Sequence, residues 1–118
     1  MPRESAIAGL LIIACAFGVA VLARNELAKL NTPIMPGSSA NALVTSGVFG
    51  RSRNPIYFAF VVFLLGLGLA AGNPWLIFLA PLLMIYLTWR VILREEAYLE
   101  RRFGEDYRAY KRRVRRWF

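Results

Sequence analysis

The chain has 118 residues, of which 58% are hydrophobic, and a formal net charge of +8. This length fits one domain. The share of hydrophobic residues exceeds that of an ordinary soluble domain and favours a membrane protein. The positive charge favours contact of its basic residues with an anionic lipid surface. The sequence has one cysteine, Cys15, and no histidine. These counts exclude an intrachain disulfide, a cysteine- or histidine-ligated metal and a Ser-His-Asp triad, so we expect no metal site.

The first predicted element is a membrane helix over residues 6–23, a stretch of 18 residues without a charged side chain. This length is close to the ~20 residues that span a bilayer. A signal peptide is the competing interpretation, with Val21-Leu22-Ala23 as a weak cleavage site. The region before the stretch is poorly charged and the stretch is longer than most signal-peptide cores, so we expect a retained anchor.

A polar connector follows over residues 24–54, and its turn-forming composition predicts a loop. A loop of about 30 residues is long for a compact domain, and such loops are usually functional or disordered. Pro55 favours the first position of a helix. Arg53 and Asn54 are therefore expected at a helix N-terminus, where unpaired backbone N–H groups and the helix dipole favour an anion.

The second and third membrane helices are predicted over residues 55–72 and 74–93. The step Gly72-Asn73-Pro74 between them is too short for anything but a tight helical hairpin. Gly68 and Gly72 are spaced so that another helix could approach closely.

The C-terminal region, residues 94–118, is predicted to be a basic amphipathic helical tail. Apolar side chains recur along it at spacings of three and four residues: Leu99, Phe103, Tyr107, Tyr110, Val114 and Trp117. This stripe favours a helix, interrupted at Gly104, that lies on a membrane surface and does not bind nucleic acid. Glu95 and Glu96 have two open interpretations, since they could pair with neighbouring arginines or face a cationic ligand.

The basic residues indicate the topology, because the connector has four Lys/Arg and the chain from Arg90 onwards has ten, against one at the N-terminus. The positive-inside rule then predicts that the connector and the C-terminus are cytoplasmic and that the N-terminus lies outside. We therefore expect an all-α membrane protein of the bacterial inner membrane. It would have three transmembrane helices, the last two a tight hairpin, with a cytoplasmic loop and a C-terminal amphipathic helix. The hairpin would bring the end of the connector to Glu95 and Glu96.

Two separated motifs carry a family resemblance. Ala42-Leu-Val-Thr-Ser-Gly-Val-Phe49 followed by Arg53-Asn-Pro-Ile-Tyr57 resembles the signature of the isoprenylcysteine carboxyl methyltransferases and their phospholipid methyltransferase relatives. In that family the pattern reads roughly Leu-Val-Thr-x-Gly-x-Tyr and then Arg-His-Pro-x-Tyr. The tail, with Arg94-Glu-Glu, Phe103-Gly-Glu-Asp-Tyr107 and Tyr110-Lys-Arg-Arg-Val114, is similar to the end of the same family. The two motifs occur in the family's order and flank the hairpin, which makes the resemblance specific.

This resemblance implies an integral membrane enzyme that transfers a methyl group from S-adenosylmethionine to a lipid-borne or apolar acceptor, in the first place the carboxylate of a prenylated cysteine. It also implies that an arginine at the end of the last membrane helix meets this carboxylate. Arg90 is the nearest candidate, although its position differs by about one residue from the one expected. The residues that it implies for cofactor binding are Ala42, Leu43, Val44, Phe49, Arg53, Asn54, Pro55, Ile56, Tyr57, Glu95 and Glu96.

The chain departs from the family pattern at two positions, since Asn54 replaces a usual His and Phe49 a usual Tyr. Asparagine cannot take up a proton near neutral pH, which weakens any mechanism that needs a base there. A carboxylate or thiolate acceptor needs no such base, whereas an ammonium acceptor must lose a proton, and only Glu95, Glu96 or a tyrosine could take it.

Other functions stay open. Phospholipid N-methylation and thiol S-methylation are the alternatives within the family. A non-catalytic small membrane adaptor, whose basic tail binds anionic lipid, is the alternative of another class. Three spans are fewer than in relatives with extra N-terminal helices. The chain is therefore either a minimal catalytic core or one that needs a partner to complete its pocket, and homo-oligomerisation is a candidate.

Overall fold

The computed structural model describes residues 3–30 and 43–117, and within these ranges the chain is helical and has no strand, as predicted. The helices are α1 (Arg3–Lys29), α2 (Pro55–Ala71), α3 (Pro74–Leu87), α4 (Leu93–Phe103) and α5 (Glu105–Arg113). A short 3-10 turn, Gly47–Gly50, lies in the connector, and a π-helical segment, Thr88–Ile92, joins α3 to α4. The first helix is longer than predicted, because it continues into the connector as far as Lys29.

Two helices among the described residues are long and apolar enough to cross a bilayer. These are α1, with 27 residues, and the continuous helix Pro74–Phe103, with 30 residues. Helix α2 is apolar but shorter, with 17 residues. The outer surfaces carry large apolar side chains, of which Phe17 is 72% and Phe78 66% exposed. Such surfaces are unfavourable in water and favourable against lipid acyl chains.

Helices α1 and α2 approach each other closely at glycines. A Cβ atom added to Gly66 would lie 2.9 Å from the carbonyl oxygen of Gly9. A Cβ atom added to Gly9 would overlap the backbone of Ala70. Both glycines are buried. The absence of side chains at these positions therefore allows the two backbones to come into contact, as in close helix pairs of membrane proteins.

The predicted tight hairpin joins α2 to α3. Gly72 ends α2 in the left-handed conformation, with φ of 67°, which favours glycine at a helix C-terminus. The Asn73 side chain then accepts a hydrogen bond of 3.0 Å from the backbone N–H of Trp75 and caps α3. A Cβ atom at Gly68 would lie 2.7 Å from Ile77 Cγ1, so this glycine permits the close approach of α3.

The third helix is continuous with the first part of the tail. The helix that begins at Pro74 continues through the π-helical segment to Phe103, beyond the predicted end at residue 93. The chain breaks at Gly104, as predicted, and this residue has φ of 58°. Helix α5 ends at Arg113, and residues 114–117, here called the C-terminal segment, are not helical. The predicted amphipathic helix over residues 94–118 is thus divided into α4, α5 and this segment.

The apolar stripe of the tail is covered by the protein itself. Tyr107 is 1% and Tyr110 2% exposed, and with Val114 they form a cluster against which Leu43, Leu99 and Phe103 pack. The Tyr110 hydroxyl also donates a hydrogen bond of 2.7 Å to the carbonyl of Phe49. This differs from the expectation that the stripe faces the membrane. The physical reason is that the end of the connector folds over the stripe. Protein contacts, and not lipid, therefore remove the apolar area of the stripe from water.

Candidate functional site

The predicted site residues at the start of α2 and in α4 lie together. Tyr57, on the first turn of α2, is 8% exposed, and its hydroxyl donates a hydrogen bond of 2.6 Å to Glu95 Oε1. The ring packs with Leu87 and Ile92 in a small apolar cluster. Among the described residues, no arginine or lysine forms an ion pair with Glu95. Glu95 is thus a half-buried carboxylate without a cationic partner in the described part of the chain.

The neighbouring carboxylate, Glu96, is held between two arginines. Arg116 donates two hydrogen bonds to it, Nε to Oε2 at 2.7 Å and Nη2 to Oε1 at 3.0 Å. On the other side, Arg53 Nη1 lies 3.3 Å from Glu96 Oε2. Bidentate contacts of this kind fix the geometry of both groups, and the bond to Glu96 raises the pKa of Arg116. We call Arg53, Glu96 and Arg116 the Arg–Glu–Arg cluster.

Arg53 is the buried member of this cluster. Its side chain is 9% exposed, and Nη1 also donates a hydrogen bond of 3.3 Å to the hydroxyl of Tyr107. Burial raises the pKa of that tyrosine, which therefore stays neutral at physiological pH. The Nε atom of Arg53 is buried and has no hydrogen-bond acceptor in the described part of the chain. A buried donor without an acceptor is unfavourable in free energy. An additional acceptor bound to this atom would therefore stabilise the site.

The C-terminal segment crosses the start of α2 and holds it by backbone contacts. The N–H of Arg53 donates to the carbonyl of Arg115, and Asn54 Nδ2 donates to the carbonyl of Arg116, both at 2.9 Å. Trp117 packs against the Tyr57 cluster, and its Nε1 donates a hydrogen bond of 3.3 Å to Thr88 Oγ1. The Asn54 amide, at the position where the family has a histidine, therefore has a structural contact.

The other predicted site residues have varied environments. Val44 is buried, and Leu43 packs against the Tyr107 cluster. The backbone carbonyl of Phe49 accepts a hydrogen bond from the Tyr110 hydroxyl. Pro55 is fully buried and Ile56 half-buried at the start of α2. Arg90 lies in the π-helical segment, is exposed and forms no ion pair with another described residue. The prediction for Ala42 concerns a residue outside the described ranges.

Sequence reasoning did not assign Arg116, Tyr107 and Ser52 to this site. Tyr107 was part of the apolar stripe, and its phenol in the Phe-Gly-x-x-Tyr motif is the signal that could have indicated a polar role. Ser52 is 2% exposed, and its Oγ accepts a hydrogen bond of 3.1 Å from the N–H of Asn54, as in an ST-turn. Nothing in the local sequence distinguishes Arg116 from the arginines around it.

This arrangement separates two electrostatic tasks. In the Arg–Glu–Arg cluster, the carboxylate has its positive partners and joins α4 to the connector and the C-terminal segment. Glu95 lies beside the Tyr57 hydroxyl and has no positively charged partner among the described residues. A carboxylate in a partly desolvated place attracts a cation or takes up a proton, and either property is useful at a binding or catalytic site.

The family model for phospholipid methyltransferases matches residues 5–106. The chain belongs to the phospholipid methyltransferase family. This match extends from α1 to the first two residues of α5 and so includes both the Tyr57–Glu95 pair and Glu96. The family and the two apolar helices together identify the chain as a membrane protein.

Two relatives are similar to this phospholipid methyltransferase family member. One is a protein-S-isoprenylcysteine O-methyltransferase of Schizosaccharomyces pombe, 36% identical over 76 residues, which are 61% of the chain and 30% of the yeast protein. The other is an uncharacterized protein of Haemophilus influenzae, 41% identical over 63 residues, which are 52% of the chain and 98% of that protein. The chain therefore matches less than a third of the yeast protein's length. No solved structure is significantly similar to the chain.

Proposed function

We propose that the protein is an S-adenosylmethionine-dependent integral membrane methyltransferase that acts on a lipid-borne or apolar acceptor. The observation that carries this proposal is the difference between two adjacent carboxylates. Glu96 is neutralised by Arg53 and Arg116, whereas the partner of the Glu95 side chain among the described residues is the Tyr57 hydroxyl. A site with this unpaired carboxylate suits a cationic ligand, and membership of the phospholipid methyltransferase family supports methyl transfer.

The residues present fit the proposed cofactor. S-adenosylmethionine supplies a methyl group on a positively charged sulfonium, and its methionine part also has an ammonium and a carboxylate group. Glu95 would bind a cationic group of this molecule. The buried Nε of Arg53, which has no acceptor in the described residues, would donate to an acceptor atom. Leu43, Val44 and Phe49 remain proposed contacts on the basis of the motif, as do Asn54, Pro55 and Ile56.

A carboxylate acceptor of the prenylated cysteine type is the first candidate. Such an acceptor needs no general base, and this agrees with Asn54, which cannot take up a proton at the position of the usual histidine. Arg90 would orient the carboxylate, because an exposed guanidinium with no ion pair to another described residue is available for a bidentate contact. The name of the yeast relative supports this acceptor class.

Phospholipid N-methylation is the second candidate, and the family match favours it. An ammonium acceptor must lose its proton before methylation. In the described site, Glu95 is the carboxylate that could accept it, because Glu96 is engaged by two arginines. Thiol S-methylation is the third candidate. A thiolate attacks the methyl group as a carboxylate does and needs no general base either.

We further propose three membrane spans, with α2 completed by flanking residues, and a cytoplasmic connector and C-terminus. The distribution of basic residues supports this orientation. It would place the Tyr57–Glu95 pair on the side where S-adenosylmethionine is made. The acceptor would then enter from the bilayer, and a second copy of the chain is the candidate for any missing wall of the pocket.

Calorimetry with S-adenosylhomocysteine tests whether the protein binds this class of cofactor. The full chain in detergent should give saturable heat, whereas a non-catalytic membrane adaptor should give none. A panel of radiolabelled methyl-transfer assays with a farnesylated cysteine analogue, a phosphatidylethanolamine and an apolar thiol then identifies the acceptor. No product with any acceptor, together with no binding, would refute the enzymatic proposal.

The role of Arg90 has its own test in a matched pair of variants. Arg90→Gln should raise the KM for a carboxylate acceptor by about tenfold, because a charge-assisted contact is lost. Arg94→Gln removes another exposed arginine one turn further along the same helix and serves as the control. Equal KM values in the two variants would exclude Arg90 as the acceptor-binding arginine.

A further inference from the structure

A basic depression lies at the junction of the connector and the tail, outside the Tyr57–Glu95 pair. Its volume is about 520 Å³, and its walls are Gly50, Arg51, Arg113, Val114 and Arg115. We call it the arginine depression. Of the five described residues that line it, three are arginines and none is acidic. A surface with this composition attracts anions.

The positive charge of this depression is not neutralised by the described residues. Arg51, Arg113 and Arg115 are all exposed, and none of their side chains forms a salt bridge or hydrogen bond with another residue in ranges 3–30 and 43–117. Two acidic side chains of the tail have other partners. Glu105 pairs with Arg108 and Arg112, and Glu96 belongs to the Arg–Glu–Arg cluster.

Two hydrogen bonds join the connector to the tail next to residues that line the depression. The hydroxyl of Tyr110 donates to the carbonyl of Phe49, and its ring is 2% exposed. The backbone N–H of Arg53 donates to the carbonyl of Arg115 at 2.9 Å. These contacts hold the backbone that carries the connector arginine close to the backbone that carries the two tail arginines before any ligand binds. Such preorganisation lowers the ordering cost of binding.

The position of the depression indicates the kind of anion. Arg51 lies just before Pro55, where the apolar helix α2 begins, and Arg113 ends the basic helix α5. In the proposed topology this is the level at which α2 would meet the headgroups, and lipid phosphates are the anions concentrated there. Arginine is well suited to them, because its guanidinium binds phosphate oxygens in pairs.

We propose that the arginine depression binds the phosphate group of an anionic membrane lipid, at a site separate from that of methyl transfer. The bound lipid would link the connector to the C-terminal segment, both of which contact the Arg–Glu–Arg cluster. This inference does not depend on the proposed enzymatic function, because it needs neither the cofactor nor an acceptor.

The test uses the full chain, purified in a neutral detergent and titrated with short-chain phosphatidylglycerol. Two reference ligands are diacylglycerol with the same acyl chains, which lacks the phosphate, and inorganic phosphate, which lacks the chains. The variant R51Q/R113Q/R115Q removes the depression's charges. The control R24Q/R94Q/R101Q removes the same number of charges from exposed arginines that do not line it.

Phosphatidylglycerol should bind the depression variant at least about tenfold more weakly than the wild type, and the control within about twofold. Equal weakening in both variants would mean diffuse charge attraction and would overturn the proposal. Displacement of the lipid by an equal concentration of inorganic phosphate would assign the site to soluble phosphate and would also overturn it.

A charge-conserving variant keeps the test decisive if the glutamine variant does not fold. R51K/R113K/R115K retains the positive charge but lacks the paired donors of guanidinium. We expect an affinity between those of the wild type and the glutamine variant. Undiminished affinity in the lysine variant would contradict the specific binding of phosphate by arginine.

Discussion

The Tyr57 hydroxyl donates a hydrogen bond of 2.6 Å to Glu95 Oε1 and so links the first turn of α2 to the first turn of α4. One residue later, Glu96 binds Arg116 and Arg53 instead. Adjacent residues on a helix point in directions about 100° apart. Two neighbouring carboxylates can therefore have different partners, and this difference is the basis for the proposed cofactor site.

Glu95→Gln should damage cofactor binding, because it removes the unpaired charge that would meet a cationic group. A charge-assisted hydrogen bond contributes about 1.5–3 kcal/mol, so we expect about a tenfold to hundredfold weaker affinity for S-adenosylhomocysteine and S-adenosylmethionine. The measurement is calorimetry of the variant and wild type in the same detergent.

Glu100→Gln is the matched control for this prediction. Glu100 lies on the same helix, but its side chain is 37% exposed and pairs with Arg108 and Lys111 at 3.7 Å. Its loss should leave cofactor affinity unchanged. If the two variants bind the cofactor equally well, the proposed site at Glu95 is wrong.

Much of the fold could be predicted because its signals are local. Gly72-Asn73-Pro74 is a helix stop, a cap and a helix start in three consecutive residues, and the break at Gly104 falls at the one glycine in a polar helix. The hairpin topology then made it possible to predict that Arg53 and Asn54 lie near the glutamate pair.

The rest of the site depends on contacts between residues distant in the sequence. Arg116 reaches Glu96 across 20 residues, through a C-terminal segment whose path has no periodic signal. The π-helical segment Thr88–Ile92 also has no clear signature. Because a π turn changes the register of a helix, the direction of Arg90 could not be obtained from α-helical spacing.

Glu96→Gln should destabilise the protein, because it leaves the largely buried Arg53 guanidinium without its carboxylate. Removing one partner of a partly buried pair costs about 2 kcal/mol in the free energy of unfolding. Glu105→Gln is the control, since Glu105 is 69% exposed and its pairs with Arg108 and Arg112 are screened by solvent. Denaturant titration in mixed micelles gives both values, and a Glu96→Gln variant as stable as the Glu105→Gln variant would show that the cluster is not structural.

Gly9→Ala should weaken the contact between α1 and α2, because its methyl group would overlap the backbone of Ala70. Overpacking of this kind costs about 1–3 kcal/mol. Gly18→Ala in the same helix has no atom within 4 Å of the new methyl group, and should leave stability unchanged or raise it. Thermal unfolding in detergent compares them. Equal unfolding temperatures would mean that the glycine contact does not hold the two helices together.

The proposed topology can be tested with single cysteines in a Cys15→Ser background. Asn73→Cys at the exposed hairpin tip should react with a membrane-impermeant thiol reagent in intact cells. Asp106→Cys in α5 is also exposed, but it should react only after the cells are opened. Ser52 is unsuitable as a labelling site because it is buried. The opposite labelling pattern would invert the orientation and place the Tyr57–Glu95 pair outside the cytoplasm.

Alkaline pH should destabilise the packing of the connector against the tail through Tyr107 and Tyr110. Burial raises the pKa of both phenols above that of an exposed tyrosine. A group whose pKa is higher in the folded state favours folding fully at pH values below its unfolded pKa. This contribution is lost as the pH rises from there towards the folded pKa, so stability should fall above about pH 10.

Thermal unfolding measured across that range should show a smaller decline in Tyr107→Phe than in the wild type. Tyr86→Phe, at an exposed position on α3, is the control and should decline as the wild type does. A decline that is identical in the Tyr107→Phe variant would mean that the ionisation of this phenol is not coupled to unfolding.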